Sequence, residues 1–260
     1  MTLSIIIPSY NEEKRIGATL REYSKLSDCR ILIVVNNTTD KTVEIIKEYQ
    51  KRHNNIDYLD LKEGGKGRAI IEGYKHALAT STSDSEYIAF VDADMSTQPD
   101  EILRLSKKLQ CSPEYDGIIA SRYIKGANIS PKPTFSRIIA SRVFNAYIRV
   151  LFMFPYKDTQ CGAKIFKREV IVAVVPNLIT TRWAFDVDLL YNVRKKRFRV
   201  LEEPTTWSDK EYSKINFMRA GPFMALSMLR LRLLNSPFKF ILDFYDKVLP
   251  DKIKFYNRFR

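Results

Sequence analysis

The chain has 260 residues and is 45% apolar, an ordinary share for a globular protein that excludes wholesale disorder. Its three cysteines form no Cys-x-x-Cys pair, which excludes a disulfide scaffold or a cysteine zinc site and points to a reducing compartment. The net charge of +13 is unevenly spread: residues 1–120 hold 16 basic and 19 acidic side chains, residues 121–157 seven and none, residues 210–260 eleven and four.

Alternation of apolar runs and helical spacing predicts strands at 2–8, 30–36, 56–61, 86–92 and 116–121. Helices are predicted between them at 12–25, 41–53, 67–79 and 99–109. Asp40 is placed to cap the second helix, and Pro99 suits the first turn of the fourth, with Asp100 and Glu101 behind it. Such an alternation implies a doubly wound α/β fold with a mostly parallel sheet and right-handed crossovers. One domain is expected over 1–210, followed by a basic, amphipathic extension over 211–260.

Beyond Pro133 the pattern changes. Apolar residues three and four apart predict helices over 134–154, counted with the domain, and over 216–234. Arg142 and Arg149 share one line of the first helix, and Arg219 and Arg230 share a face of the second. Arginine on one side of a broad apolar surface suits a membrane interface. Basic segments mixed with large apolar residues fit an anionic membrane surface better than diffuse nucleic-acid binding. No apolar run reaches the roughly 18 residues needed to span a bilayer. No basic leader precedes the first strand, so no signal peptide is expected.

Four predicted strand ends deliver polar groups to the carboxyl edge of the sheet, where open α/β folds bind ligands. They are Pro8-Ser9-Tyr10-Asn11-Glu12, Asn36-Asn37-Thr38-Thr39-Asp40, the loop Glu63-Gly64-Gly65-Lys66-Gly67-Arg68, and Asp92-Ala93-Asp94. The last ends an apolar run in two carboxylates, suited to a hard divalent cation shared with substrate phosphates. Glycines beside Lys66 let backbone approach a phosphate at a helix N-terminus. The loop is neither Gly-x-Gly-x-x-Gly nor a Walker loop, which leaves dinucleotide and ATPase readings without support.

These four segments resemble glycosyltransferase family 2. Three further segments narrow the likeness: Ala120-Ser121-Arg122-Tyr123, Asp158-Thr159-Gln160-Cys161-Gly162-Ala163-Lys164, and residues 182–191 around Trp183-Ala184-Phe185-Asp186. They resemble the polyprenyl-phosphate glycosyltransferases, nearest the dolichyl-phosphate β-glucosyltransferase branch. The resemblance implies a GT-A fold and an inverting, peripheral enzyme on the cytoplasmic face of a membrane. It would move a hexose, glucose from UDP-glucose by first expectation, onto a polyprenyl or dolichyl phosphate.

By the same resemblance, Pro8, Tyr10, Asn11, Glu12, Asn36, Lys66, Asp92 and Ala93 line the nucleotide-sugar site. Asp94, with Asp92, holds Mg²⁺ or Mn²⁺. Arg122, with Lys214 and Arg219, meets the acceptor phosphate. Asp158 is the candidate catalytic carboxylate, acting through alignment and electrostatics rather than proton removal, and Gln160, Trp183 and Asp186 line the sugar pocket. The family usually ends its second strand in paired aspartates. Here Asn36-Asn37 stands instead, and an amide both donates and accepts, so a GDP-mannose donor stays open beside UDP-glucose.

Overall fold

The computed structural model describes residues 2–80, 85–179, 184–208 and 217–248. The first five strands fall where apolar runs placed them: β1 (Thr2–Ser9), β2 (Cys29–Asn36), β3 (Ile56–Leu61), β4 (Ser85–Val91) and β5 (Gly117–Ser121). Between them run α1 (Ile16–Tyr23), α2 (Thr42–Gln50), α3 (Lys66–Thr80) and α4 (Pro99–Gln110). β2 shows why its sequence reads as a continuous apolar run. Ile31 to Val35 are all buried, as befits a strand covered by helices on both faces.

One seven-stranded sheet has the order β3-β2-β1-β4-β7-β5-β8, where β7 is Ala163–Lys167 and β8 is Val200–Pro204. β1 to β4 are parallel, as are β5 and β8, whereas β7 runs antiparallel to both β4 and β5. That reversal has a positional effect. The carboxyl ends of β1, β2, β3, β4 and β5 and the amino end of β7 all reach the same edge. A two-stranded ribbon of β6 (Asn128–Ile129) and β9 (Thr206–Trp207) lies apart from the main sheet. Two further helices follow β7, α6 (Arg168–Val174) and α7 (Phe185–Lys195).

α2 starts one residue later than expected, at Thr42, so its N-cap is Lys41 and Asp40 stands one residue before it. Its carboxylate accepts from Thr42 N at 3.0 Å and from Glu13 N at 3.1 Å, joining the start of α2 to the loop after β1.

Packing divides the chain into two units, Met1–Pro133 with Tyr156–Tyr212, and Thr134–Pro155 with Ser213–Arg260. The expected division, 1–210 and 211–260, counted the helix over 134–154 with the sheet domain. The helix over 134–154, α5 (Phe135–Phe152), groups with the C-terminal segment rather than with the sheet domain. The reason is its partner, α8 (Phe217–Leu234). Tyr147 Oη donates to Ala225 O at 2.9 Å, and Arg232 Nε donates to Leu151 O at 3.1 Å. α5 ends at Met153, in a left-handed conformation, with Phe154 N donating back to Arg149 O. A third helix, α9 (Lys239–Val248), packs on α8. Among the described residues no helix is long and apolar enough to cross a membrane.

Candidate active site

The edge built by β1, β2 and α3 is a stitched frame. Asn36 is buried, its amide donating to Ser9 O at 3.0 Å and accepting from Gly65 N at 3.0 Å. Both functions of the amide are thus used on backbone, and the exposed neighbour is Asn37. Asn11 has positive φ and accepts from Thr39 N at 2.9 Å through its side chain. Glu12 forms a two-point pair with Arg15, both contacts at 2.6 Å. Pro8 is buried within β1. Of the first loop's expected nucleotide residues, Tyr10 alone is largely exposed, at 55%. Gly65 sits at φ 133°, a backbone conformation that side-chain-bearing residues rarely adopt.

Asp92, Ala93 and Asp94 follow β4 directly. Thr19 Oγ1 donates to Ala93 O at 2.7 Å and Tyr23 Oη to Thr97 O at 2.9 Å, so α1 pins both ends of this turn. Asp94 shapes it further, accepting from Ser96 N at 2.9 Å, and Met95 takes positive φ. Gln98 Nε2 donates to Met95 O at 3.1 Å.

Lys66 Nζ lies 2.5 Å from Asp92 Oδ1. Burial raises the Asp92 carboxyl above the usual carboxylate range; Lys66 opposes this, while Asp94 and Asp186 add to it. Burial works to lower the Lys66 ammonium, yet Asp92, Asp186 and Asp94 together hold it above its ordinary value.

β7 closes the site from the other side. Asp92 N donates to Gly162 O at 3.1 Å, and a Cβ on Gly162 would meet Asp92 Oδ2 at 1.9 Å. Only glycine leaves room for the carboxylate there. Behind it, fully buried Lys164 donates to Cys161 O at 2.8 Å and pairs with Asp186 at the start of α7. The Lys164 ammonium also lies 5.2 Å from the centre of the Phe90 ring, with Lys66 at 5.9 Å from the same ring. Cys161 is buried, which pushes its thiol up to about 12 and makes it a packed residue rather than a nucleophile. Asp188, two residues on from Asp186, is wholly buried and accepts from Ile179 N and the Asn192 amide.

Asp158 is 0% exposed and grips Arg122. Arg122 Nε donates at 2.7 Å and Nη2 at 3.0 Å, and the Arg122 backbone N–H adds a third bond at 3.0 Å. Burial alone would raise the Asp158 carboxyl; the Arg122 charge and these bonds hold it below the usual range instead. Arg122 in turn lies 5.4 Å from the Tyr123 ring centre and 5.2 Å from that of Trp207. A carboxylate so enclosed is placed to orient an arginine.

Of the expected residues, Asp92, Asp94, Lys66, Arg122, Asp158, Gln160 and Asp186 stand on elements that reach this edge. Trp183 and Lys214 lie outside the described residues, as does the side chain of Arg219. Sequence reasoning missed Trp207 and read Lys164 only as part of a motif. Trp207 follows Glu202-Glu203-Pro204 with no pattern to mark it. It is held by Glu101, which accepts from Thr205 Oγ1 and Thr206 N, and by Ser208 N donating to Ser96 O.

For a metal, the donors at this edge are oxygen-only. Among the described residues no group of three or more His, Cys, Asp and Glu could cage an ion. Asp94, with Asp92 beside it, suits the way Mg²⁺ is usually bound, by one or two carboxylates with substrate phosphates and water completing its shell. The residues fit.

A family model described as "Glycosyl transferase family 2" matches residues 4–174. The chain belongs to glycosyltransferase family 2. This family 2 chain is 29% identical to a dolichyl-phosphate beta-glucosyltransferase of Dictyostelium discoideum, over 88% of itself and 73% of that protein. It is 30% identical to one from Trichomonas vaginalis, over 88% and 72%, and 27% identical to the human enzyme of that name, over 91% and 77%. Among solved structures it resembles glucosyl-3-phosphoglycerate synthase of Mycobacterium tuberculosis in complex with Mn²⁺, uridine diphosphate and product. The TM-score there is 0.67 at 15% identity, covering 89% of this chain and 78% of that one. At that identity the likeness supports the GT-A fold alone.

Proposed function

We propose that this family 2 transferase moves a hexose, glucose from UDP-glucose, onto a polyprenyl phosphate of the dolichyl type at a membrane surface. The observation that carries the reading is the similarity, spread over most of the chain, to relatives named for that reaction. The geometry supplies groups with matching tasks.

An acceptor phosphate oxygen attacks the anomeric carbon as the bond from that carbon to the diphosphate breaks. The electron pair leaves with the nucleoside diphosphate, and the configuration inverts. A phosphate monoester is largely doubly ionised at pH 7, with a second pKa of about 6, so no residue has to remove a proton. Arg122, held rigidly by Asp158 and flanked by Tyr123 and Trp207, is suited to bind a phosphate through the N–H groups Asp158 leaves unused. Lys66 meets charge on the donor, and Tyr10 offers a ring to the nucleoside. Asp186 reaches the sugar from the first turn of α7. Asp158 acts as a positioning residue. Asp94 and Asp92 would hold Mg²⁺ or Mn²⁺, which would supply positive charge to the departing diphosphate.

The test is transfer of labelled sugar into organic-extractable lipid, with polyprenyl phosphate, either UDP-glucose or GDP-mannose, and Mg²⁺ or EDTA. Label from UDP-glucose that EDTA abolishes is the expected result. Label from GDP-mannose alone overturns the donor, and donor hydrolysis without lipid product overturns the acceptor.

A further inference from the structure

The unit formed by α5, α8 and α9 has a surface unlike that of the sheet domain. Among the described residues, 15 large hydrophobic side chains are exposed, and 12 of them belong to this unit, from Phe135 to Val248. The same unit carries 13 basic and three acidic residues over 134–155 and 213–260, so it holds +10 of the chain's +13.

α9 concentrates the apolar exposure, while its two lysines and two aspartates leave it without net charge, so the basic excess lies on the rest of the unit. Phe240, Ile241, Phe244 and Val248 are 63%, 48%, 69% and 59% exposed. At 100° per residue they fall within an arc of about 100°, a single apolar stripe. Lys247 borders it on one side, and the same flank continues with positions 243 and 239, an aspartate and a lysine. Phe238 extends the stripe, its ring 6.4 Å from that of Phe240. On α5, exposed Val143 and Val150 stand next to Arg142 and Arg149 in the same way.

We infer that α9 is the element that enters the bilayer, its phenylalanines buried among acyl chains while the basic residues of this unit bind anionic lipid headgroups. Charge complementarity selects this occupant. Two copies of a unit with a net sequence charge of +10 repel one another, whereas an anionic leaflet attracts each Lys or Arg near it and lets long basic side chains reach the headgroups from beside an apolar stripe. The inference rests on the proposed function only for its biological setting; the surface itself needs no acceptor. It also shifts the anchoring role from the paired helices α5 and α8, which spend part of their surface on each other, to α9.

The experiment is co-flotation of the full chain with vesicles that contain no polyprenyl phosphate. One set is phosphatidylcholine alone, the other has about a third phosphatidylglycerol. Wild-type protein is expected to float with the anionic set and to be released by high salt only in part, because apolar insertion is not screened. Phe240→Ser with Phe244→Ser should cut the bound fraction at least tenfold at unchanged circular dichroism and unchanged binding of UDP. Lys239→Gln with Lys247→Gln should weaken binding to the anionic set severalfold. Wild-type flotation by the phenylalanine variant overturns the role of α9, and no vesicle binding by the wild type overturns the surface. A wild-type dimer that the phenylalanine changes turn into a monomer overturns the choice of lipid. Because acceptor is absent, binding here with failed sugar transfer separates this inference from the transferase reading.

Discussion

Gly162→Ala tests the site at its tightest point. The added Cβ would sit 1.9 Å from Asp92 Oδ2 and 2.4 Å from its Cγ, where real Cβ contacts essentially never fall below 3.0 Å. The carboxylate must therefore retreat by about 1 Å, the scale of misplacement that costs an active site about 10²-fold. Retreat also breaks the 2.5 Å contact with Lys66. Asp92 is 34% exposed, so it can swing toward solvent and the fold survives. Overpacking of this kind costs about 1–3 kcal/mol, less than the usual total stability of about 5–15 kcal/mol. A cooperative melt, a kcat/KM for sugar transfer lowered about 10²-fold, and weakened Mn²⁺–UDP binding by calorimetry are the joint expectation. Wild-type transfer and binding in the folded variant would refute the claim that the position of Asp92 is set by β7.

Asp158→Asn places an amide N–H₂ or a weaker acceptor against the buried Arg122 and should destabilise the protein by about 3–5 kcal/mol near neutral pH, read by urea unfolding. The folded-state pKa of Asp158 lies below its unfolded value, so its stabilisation is complete above the unfolded value of about 3.9 and is lost as pH falls through the folded one. The gap between wild type and variant should accordingly close in acid below about pH 4, and a gap independent of pH would contradict this. Arg122→Lys keeps the charge and loses the two-point grip and ring contacts, so kcat/KM should fall by about 10²-fold or more. A loss under tenfold removes Arg122 from the phosphate role. Lys66→Met removes the ammonium from Asp92 and should tighten Mn²⁺ binding to the nucleotide-free protein about tenfold by calorimetry while weakening UDP binding. Unchanged affinity for both would show that the pair is incidental.

The first half of the fold was legible because parallel strands covered on both faces carry unbroken apolar runs, and Ile5 to Ile7, Ile31 to Val35 and Ile88 to Val91 are such runs. β7 lacks that mark: Lys164 lies inside it, its charge answered by Asp186 from a helix 22 residues away. β8 hides for another reason, since Glu202, Glu203 and Pro204 read as a loop although they form an edge strand. α9 is short and its apolar stripe faces outward, so no core requirement announces it. In the site, residue types were readable at the strand ends, but their pairings were not. Asn36 fits a base-reading role by position, but that its amide also ties Ser9 O to Gly65 N could not be read from sequence. Asp158 was readable as a carboxylate that aligns and stabilises, but not the group it holds: Arg122 lies 36 residues earlier.

The antiparallel strand β7 also imposes an order on assembly. It fills the space between β4 and β5, and the chain reaches it only after passing through α5. Without residues 158–167 β4 and β5 have no strand between them, and the sheet stops at β3-β2-β1-β4 with β5 left apart. Asp92 then lacks the Gly162 backbone and Arg122 lacks its carboxylate. A nascent or truncated chain ending in α5 can thus form the Asp92–Asp94 turn and still be inert. Closing this sheet demands a long-range pairing of the kind that slows folding, so competence should appear in one late step, when β7 is inserted between β4 and β5.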